Sequence, residues 1–375
     1  MQFSCQSSQL AKAINIVKKA ISSSPNSPIF SGIHMILQEN VLQLIAMDTN
    51  FCMRDILQVN GLEAGELLVP VKAIGDLFTR FDNDEVVTLS QQENEKELTI
   101  EASKAHGKYH IPLMDYEDYP ALPGLKQDQV MHLKDEMIGS LISSTVYACS
   151  TDEQRPLYTG VFFEKKGKTL TAVGTNTHRL AIKTVELEEG DDSNFSMLIP
   201  ARVLKEISAN LNGDLPGDVV LTLENRQLQV EVGDLTIISS LIEGRFPDYT
   251  KPIPPSFKNR TVLERTEVEK AVQRVTLFSH DEYSIVRLSL ENDRLVLSST
   301  VSDLGQGREE LPCVTIGEEL PLNIAFNSKY LLEFFKKCDT DRVVLETNSS
   351  LSPARLTPEN DESYTYIVTP VRVIF

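Results

Sequence analysis

The side chain best suited to chemistry is His178, in the run Thr175-Asn176-Thr177-His178-Arg179-Leu180-Ala181. An imidazole titrates near neutral pH, so it can serve as a general base or a metal ligand, but either role needs partners. The six histidines are scattered. No Gly-x-Ser-x-Gly run is present, and no glycine-rich phosphate loop follows a strand-like segment. An acid such as Asp248 could orient His178 in a cleft, which leaves an acid–base enzyme as one reading. The other is that His178 shapes a turn or a pocket rim. With no nucleophile–base constellation visible, no catalytic residue is assigned and the chain is read as a non-enzyme.

Metal and redox chemistry find little support. Five cysteines (Cys5, Cys52, Cys149, Cys313, Cys338) lie far apart with no Cys-x-x-Cys pair. That argues against a zinc site or a disulfide framework, and neither metal nor cofactor is expected. The spacing fits a reducing cytosol, and no apolar run approaches the ~18 residues of a membrane span. A cytoplasmic protein is the expectation. The pairs Asp281-Glu282 and Glu309-Glu310 read as solvated surface. Glu243-Gly244-Arg245-Phe246-Pro247-Asp248-Tyr249 reads as a dense turn, which structural duty alone would explain. From Tyr366 onward the sequence is strand-like to its last residue, as an added sheet strand or one wall of a groove would be.

The elements that position these residues repeat three times. Lys72-Ala73-Ile74-Gly75-Asp76-Leu77, Arg202-Val203-Leu204-Lys205-Glu206-Ile207 and Lys329-Tyr330-Leu331-Leu332-Glu333-Phe334 share one pattern, each followed by a β-branched run. Pro28 and Gly32 match Pro156 and Gly160 at an offset of 128, as Asp48 matches Asn176, and Tyr119-Pro120 matches Phe246-Pro247 at 127. A long period of this kind marks a chain built from equivalent units. The boundaries fall at 1–125, 126–251 and 252–375. Apolar stripes such as Leu10/Ile14/Val17 and Val268/Val272/Val275 predict a first helix per unit. A second follows at 71–81, 201–212 and 328–338. Short strands, including 41–45, 98–100, 228–232 and 294–297, supply the rest. The fold class is α+β, two helices on antiparallel sheet in each unit.

The net charge of −18 speaks against a polyanionic partner until its distribution is considered. The six candidate helices together carry +7, which leaves −25 for the remainder. Lys12 and Lys19 lie opposite the first stripe, and Lys270 and Arg274 lie opposite Val268/Val272/Val275. One reading is a set of ordinary solvated helix faces. The other is a basic lining within an acidic shell, able to hold a polyanion through phosphates alone. The chain has no Trp and no aromatic-interleaved basic run, so duplex without base readout is favoured over a stacked single strand.

Three motifs then carry a resemblance. Thr175 to Ala181 is close to T-D-G-H-R-L-A, Gly244-Arg245-Phe246-Pro247-Asp248-Tyr249 matches G-R-F-P-D-Y, and Val368-Thr369-Pro370-Val371-Arg372 is similar to V-M-P-M-R. Together, over the whole length, they resemble the beta-subunit family of bacterial DNA polymerase III, the ring-shaped sliding clamps. The resemblance implies three similar clamp domains per chain and a head-to-tail homodimer closed into a ring around duplex DNA. It implies tethering of the replicative polymerase, the clamp loader and other motif-bearing proteins, with no membrane partner.

The peptide pocket it implies, between the second and third domains, has a wall of Tyr158, Thr175, Thr177, His178, Arg179, Leu180, Pro247, Ser352, Ile367, Val368, Thr369, Pro370, Val371 and Arg372. Lys12, Lys19, Lys72, Arg202, Lys270 and Arg274 are assigned to DNA. Tyr109 and Ile111 are assigned to the ring seam against Leu277 and Phe278, with core packing as the alternative. Thr177 stands where the family often has Gly, Thr369 where it often has Met, and Ile374-Phe375 run past its usual end. A three-domain enzyme and a scaffold that binds only proteins are the competing readings.

Overall fold

A computed structural model of the protein describes residues 1–22, 24–92, 96–125, 129–187, 193–211, 217–279, 284–299, 303, 305–318 and 320–373. Asp281-Glu282, Ile374-Phe375 and the boundary residue 126 lie outside the described residues. The chain packs into two compact units, Met1–Glu136 with Ala209–Leu241, and Met137–Ser208 with Ile242–Phe375.

Helices occur where the triplicated stripes predict them: α1 Ser7–Val17, α2 Val71–Phe78, α3 Asp135–Thr145, α4 Ala201–Ala209, α5 Arg265–Thr276 and α6 Ser328–Phe335. All are too short to persist alone, so each is held by burying one face. Leu10, Ala13, Ile14 and Val17 are the buried face of α1, and Val268, Ala271, Val272 and Val275 that of α5. The helices end earlier than the apolar pattern implies. After α2, Arg80 N donates to Leu77 O, and after α6 Lys337 N donates to Phe334 O. These i→i+3 bonds tighten the last turn and stop the α-helical register short of 81 and 338. None of the described helices is long and apolar enough to cross a membrane.

Every sheet is antiparallel. The first unit holds a five-stranded sheet in the order Asn60–Glu63, Gln2–Gln6, Val86–Ser90, Glu97–Ala102, Gly107–Pro112. Its eight-stranded sheet runs Gln129–Lys134, Asp218–Glu224, Gln227–Val232, Leu235–Ser240, Phe51–Gln58, Val41–Met47, Gly32–Gln38, Gly65–Pro70. In the second unit, nine strands run Asn194–Pro200, Gly160–Lys166, Thr169–Thr175, Arg179–Glu186, Tyr364–Val368, Ala354–Pro358, Arg342–Thr347, Asn259–Glu264, Val314–Gly317. A four-stranded sheet runs Arg308–Pro312, Arg294–Ser299, Ile285–Leu290, Leu322–Asn327.

The two large sheets each cross a repeat boundary. Strand Leu235–Ser240 of the second repeat pairs with Phe51–Gln58 of the first, and Arg179–Glu186 of the second pairs with Tyr364–Val368 of the third. Strands such as Gln227–Val232 alternate buried and half-buried residues, the period-2 signature of a sheet with one face on a core. The C-terminal run departs from expectation. Its strand stops at Val368 rather than reaching the last residue. Pro370, two residues on, has no N–H to donate to a ladder.

Candidate functional site

The second unit's repeat boundary sets Arg179 opposite Val368 and Leu180 opposite Ile367. Leu180 and Ile367 point to one face, and with Val173 they form a small buried cluster on which Phe162, Ile182, Phe246, Tyr249 and Ile253 pack. This cluster is the floor of a cleft.

One wall is the turn joining Thr169–Thr175 to Arg179–Glu186. Asn176 Oδ1 accepts from the backbone N–H groups of His178 and Arg179 at 3.0 and 3.1 Å. Thr175 Oγ1 accepts from Thr177 N at 3.1 Å and donates to Arg179 O at 2.6 Å. The chain end ties itself to the same turn, with Thr369 N and Oγ1 both donating to His178 O, at 3.0 and 2.9 Å. Within it, Thr177 has φ +79°, a left-handed conformation unfavourable for a β-branched residue. Thr177→Gly is therefore expected to stabilise the protein by about 1 kcal/mol, strain relief exceeding the entropy cost of glycine. The check is the urea midpoint, which should rise with the slope unchanged; a lower midpoint would refute the strain.

The opposite wall is the turn Glu243–Tyr249. Gly244 has φ +123°, and a Cβ there would come within 2.7 Å of Leu157 Cδ2, so glycine is required. Phe246 stacks on Phe162 with centroids 4.7 Å apart and rings nearly parallel. The Tyr249 hydroxyl donates to Glu164 Oε2 at 3.0 Å, and burial with that bond pushes its pKa up to about 12. The Thr250 side chain and backbone N–H hold the exposed Asp248 carboxylate below its usual range.

Arg179 closes the inner end. It is 7% exposed, ion-paired with Glu333 of α6, and donates to Tyr147 O. Its guanidinium lies 4.5 Å from the Tyr330 ring centroid and 5.4 Å from that of Tyr147. Asn176 Nδ2 reaches the Tyr330 hydroxyl at 3.3 Å, and the Tyr366 hydroxyl donates to Tyr330 O at 3.0 Å. A buried cation in an aromatic cage thus fixes the turn against α6.

Between these walls lies a cavity of about 210 Å³. Nine expected residues line it: Tyr158, Thr175, Thr177, His178, Arg179, Leu180, Pro247, Ile367 and Thr369. Phe246, Asp248, Tyr249 and Pro252 line it as well, none of them among the residues expected for its wall. The F-P-D-Y run was the available signal: it carried the family resemblance and gave Pro247 to the wall, and Asp248 entered only as an acid that could orient His178. Ser352, Val368, Pro370, Val371 and Arg372 are not among the lining residues. Strand alternation turns Val368 to the opposite, fully buried face, and Val371 N donates to Ala325 O at 2.8 Å, which ties Val371 to the four-stranded sheet. The cleft is apolar with a polar rim, suited to a short extended ligand with apolar anchors.

Among the described residues the His178 ring has no hydrogen-bond partner, and no group of three His, Cys, Asp or Glu side chains could hold a metal. His106 and His110 stand four apart, but His110 is on strand Gly107–Pro112 with Nδ1 3.1 Å from Glu97. All five cysteines are free thiols.

The basic residues assigned to DNA are all exposed: Lys12, Lys19, Lys72, Arg202, Lys270 and Arg274. Arg274 is not an open cation, since it makes a two-pronged contact of 2.7 and 2.6 Å with Glu309. Lys270 lies 4.0 Å from Glu267. Of the residues assigned to a ring seam, Ile111 is buried and Tyr109 stacks edge-on with Phe81, whereas Leu277 is 72% exposed beside half-buried Phe278.

Known proteins match this architecture throughout. The models of the DNA polymerase III beta subunit match in order, the N-terminal domain over 1–123, the central over 132–248 and the C-terminal over 250–372. The beta sliding clamp of Staphylococcus epidermidis is 28% identical over 381 residues, with 99% of each chain covered. That of Synechococcus elongatus is 28% identical over 380, with 100% of each covered. The fold is that of a Bacillus subtilis DNA polymerase sliding clamp (TM-score 0.93, 24% identity) and of a Pseudomonas aeruginosa DnaN sliding clamp bound to griselimycin (TM-score 0.92, 23% identity), with 100% of each chain covered. Three consecutive domain models of one family, spanning nearly every residue, establish that the chain belongs to the DNA polymerase III beta subunit family.

Proposed function

We propose that this protein is a DNA sliding clamp, a processivity factor that encircles duplex DNA without reading its sequence and tethers the replicative polymerase. The observation that carries this reading is the run of three beta-subunit domains from residue 1 to 372. Domains at 1–125, 126–251 and 252–375, two chains to a ring, give six similar modules. Topology replaces affinity: a closed ring stays on DNA while each phosphate contact remains weak enough to slide. That accounts for dispersed cations such as Lys12, Lys72, Arg202 and Lys270 in a chain of net charge −18. It also accounts for a protein with no catalytic role, working in the cytoplasm with the replicating DNA.

The second-unit cleft is the dock for short linear segments of the polymerase, the clamp loader and other partners. Its apolar floor takes aliphatic or aromatic anchors, and the exposed rim at His178 and Thr177 meets polar groups of the peptide. Among the described residues the His178 ring has no partner that would orient it for proton transfer, and Asp248 Oδ1 is held by Thr250 instead.

For ring closure, strands Gly107–Pro112 and Arg308–Pro312 each stand at the edge of their sheet. Two chains joined head to tail would cover both edges, which otherwise stay open to aggregation. Leu277, at the end of α5, which packs on Arg308–Pro312, is our anchor for the seam. Leu277→Glu is expected to shift the dimer–monomer equilibrium by about tenfold or more toward monomer, with little change in unfolding because the residue is exposed. Sedimentation velocity at low concentration reads this; an unchanged dimer removes Leu277 from the interface.

The test of function is primer extension on singly primed circular DNA with the polymerase and clamp loader of the source organism. Adding this protein should convert short products to full-length ones. Product lengths that do not change would contradict a processivity role.

A further inference from the structure

Helix α5 and the edge strand Arg308–Pro312 are joined at two points. The first is a close approach. A Cβ on Gly307 would come within 3.0 Å of Val275 Cα and O and 2.9 Å of Phe278 Cδ2, so the chain enters this strand with its backbone against the end of the helix. Gly307 N donates to Ser299 Oγ at 2.9 Å and Ser299 N donates to Gly307 O at 3.0 Å, which fixes that entry on the neighbouring strand. The second is the contact of Arg274, whose Nε and Nη2 donate to Glu309 Oε1 and Oε2 at 2.7 and 2.6 Å. Two parallel charge-assisted bonds set direction as well as distance.

Strand alternation gives the carboxylates of Glu309-Glu310 separate partners. Glu309 shares a face with Leu311, which packs on the core, and so turns toward α5. Glu310 turns to the other face, where Arg308 Nη2 lies 2.5 Å away and Arg294 Nη1 3.3 Å. Leu277 stands one helical turn beyond Arg274 and is 72% exposed. Lys270, one turn before Arg274, turns instead to Glu267 of its own helix at 4.0 Å.

We propose that Arg274 is a positioning residue of the ring seam, holding the Leu277 end of α5 and the edge strand Arg308–Pro312 as one rigid surface for strand Gly107–Pro112 of a second copy of this chain. The proposal rests on reading Leu277 and both sheet edges as the seam. An exposed ion pair ordinarily contributes little to folding, and at 53% and 27% side-chain exposure this one is no exception. Its effect is on association. With the pair intact, helix end and strand meet the incoming edge already in place. Without it they must be ordered as the ring closes, and that ordering is subtracted from the affinity. A guanidinium engaged by Glu309 is also a poor phosphate contact, so Arg274 belongs to the seam and not to the DNA-facing set.

Sedimentation velocity of the full chain without DNA tests this, since a DNA contact is silent there. Arg274→Gln is expected to raise the dimer dissociation constant about tenfold, and Glu309→Gln by a similar factor, while Lys270→Gln leaves it unchanged. The reversed pair, Arg274→Glu with Glu309→Arg, should return it to within about threefold of wild type. Because the bracing lies within one chain, adding Arg274→Gln to Leu277→Glu should quicken amide exchange at residues 275–279 and 307–311 about threefold or more. A dissociation constant unmoved by Arg274→Gln overturns the proposal and returns Arg274 to DNA. Unchanged exchange overturns it too, as does a reversed pair that stays weak, which would mean that Arg274 meets the second copy itself. Leu277→Glu separates the two readings. A dimer that breaks with Leu277→Glu but not with Arg274→Gln removes only the role of Arg274, whereas one indifferent to both overturns the seam as well.

Discussion

Arg179→Ala is expected to destabilise the second unit by about 3 kcal/mol, because it strands a carboxylate and empties an aromatic cage. Arg179 pairs with Glu333, donates to Tyr147 O and sits between the Tyr147 and Tyr330 rings. Its side chain is 6% exposed and that of Glu333 30%. The partial exposure of Glu333 moderates the cost, which is why the lower end of the range for broken buried pairs applies. Removing both charges together, as Arg179→Met with Glu333→Leu, should restore most of the loss, since neither ion is then left alone. Urea denaturation of the single and double variants checks this, and a single-variant cost below about 1 kcal/mol would mean the pair is ornamental.

A second large effect is expected from Leu180→Ala, which should weaken binding of an anchored peptide by about ten- to a hundredfold. Leu180 is 4% exposed and faces Ile367 at 2% on the neighbouring strand, so together they form the surface against which an anchor would pack. Truncation lowers the floor and leaves a void that a Leu or Phe side chain of the ligand no longer fills. The variant should also lose about 2 kcal/mol of stability, so affinity is compared at a temperature where both proteins are folded. Retention on DNA should be unaffected, because topology does not pass through this cleft. Unchanged peptide affinity would move the dock elsewhere.

Much of this was legible in the sequence, for identifiable reasons. The stripes Leu10/Ile14/Val17 and Val268/Val272/Val275 locate α1 and α5 because burial of one face is what holds a short helix. Thr175 to Leu180 announced a shaped turn because Thr and Asn side chains satisfy backbone groups locally. Other features depend on partners distant in the chain. Phe246 and Tyr249 join the cleft only because Phe162 and Glu164, on another strand, meet them. Arg179 was expected in the pocket wall, but nothing local marks it as a buried cation. Its burial requires Glu333 and the Tyr330 ring, more than 150 residues away. The two compact units were not legible either, because they arise when strands from successive repeats pair across a boundary. A periodic sequence marks units of descent, and edge-strand pairing decides which halves share a core.

The central claim is a topological hold on DNA. The most direct measurement incubates the protein and its clamp loader with nicked circular plasmid, isolates the complex by gel filtration, and cuts the plasmid once. The account predicts that the protein stays with the circle and is released on linearisation. Protein that never associates, or that remains on the linear product, would contradict it.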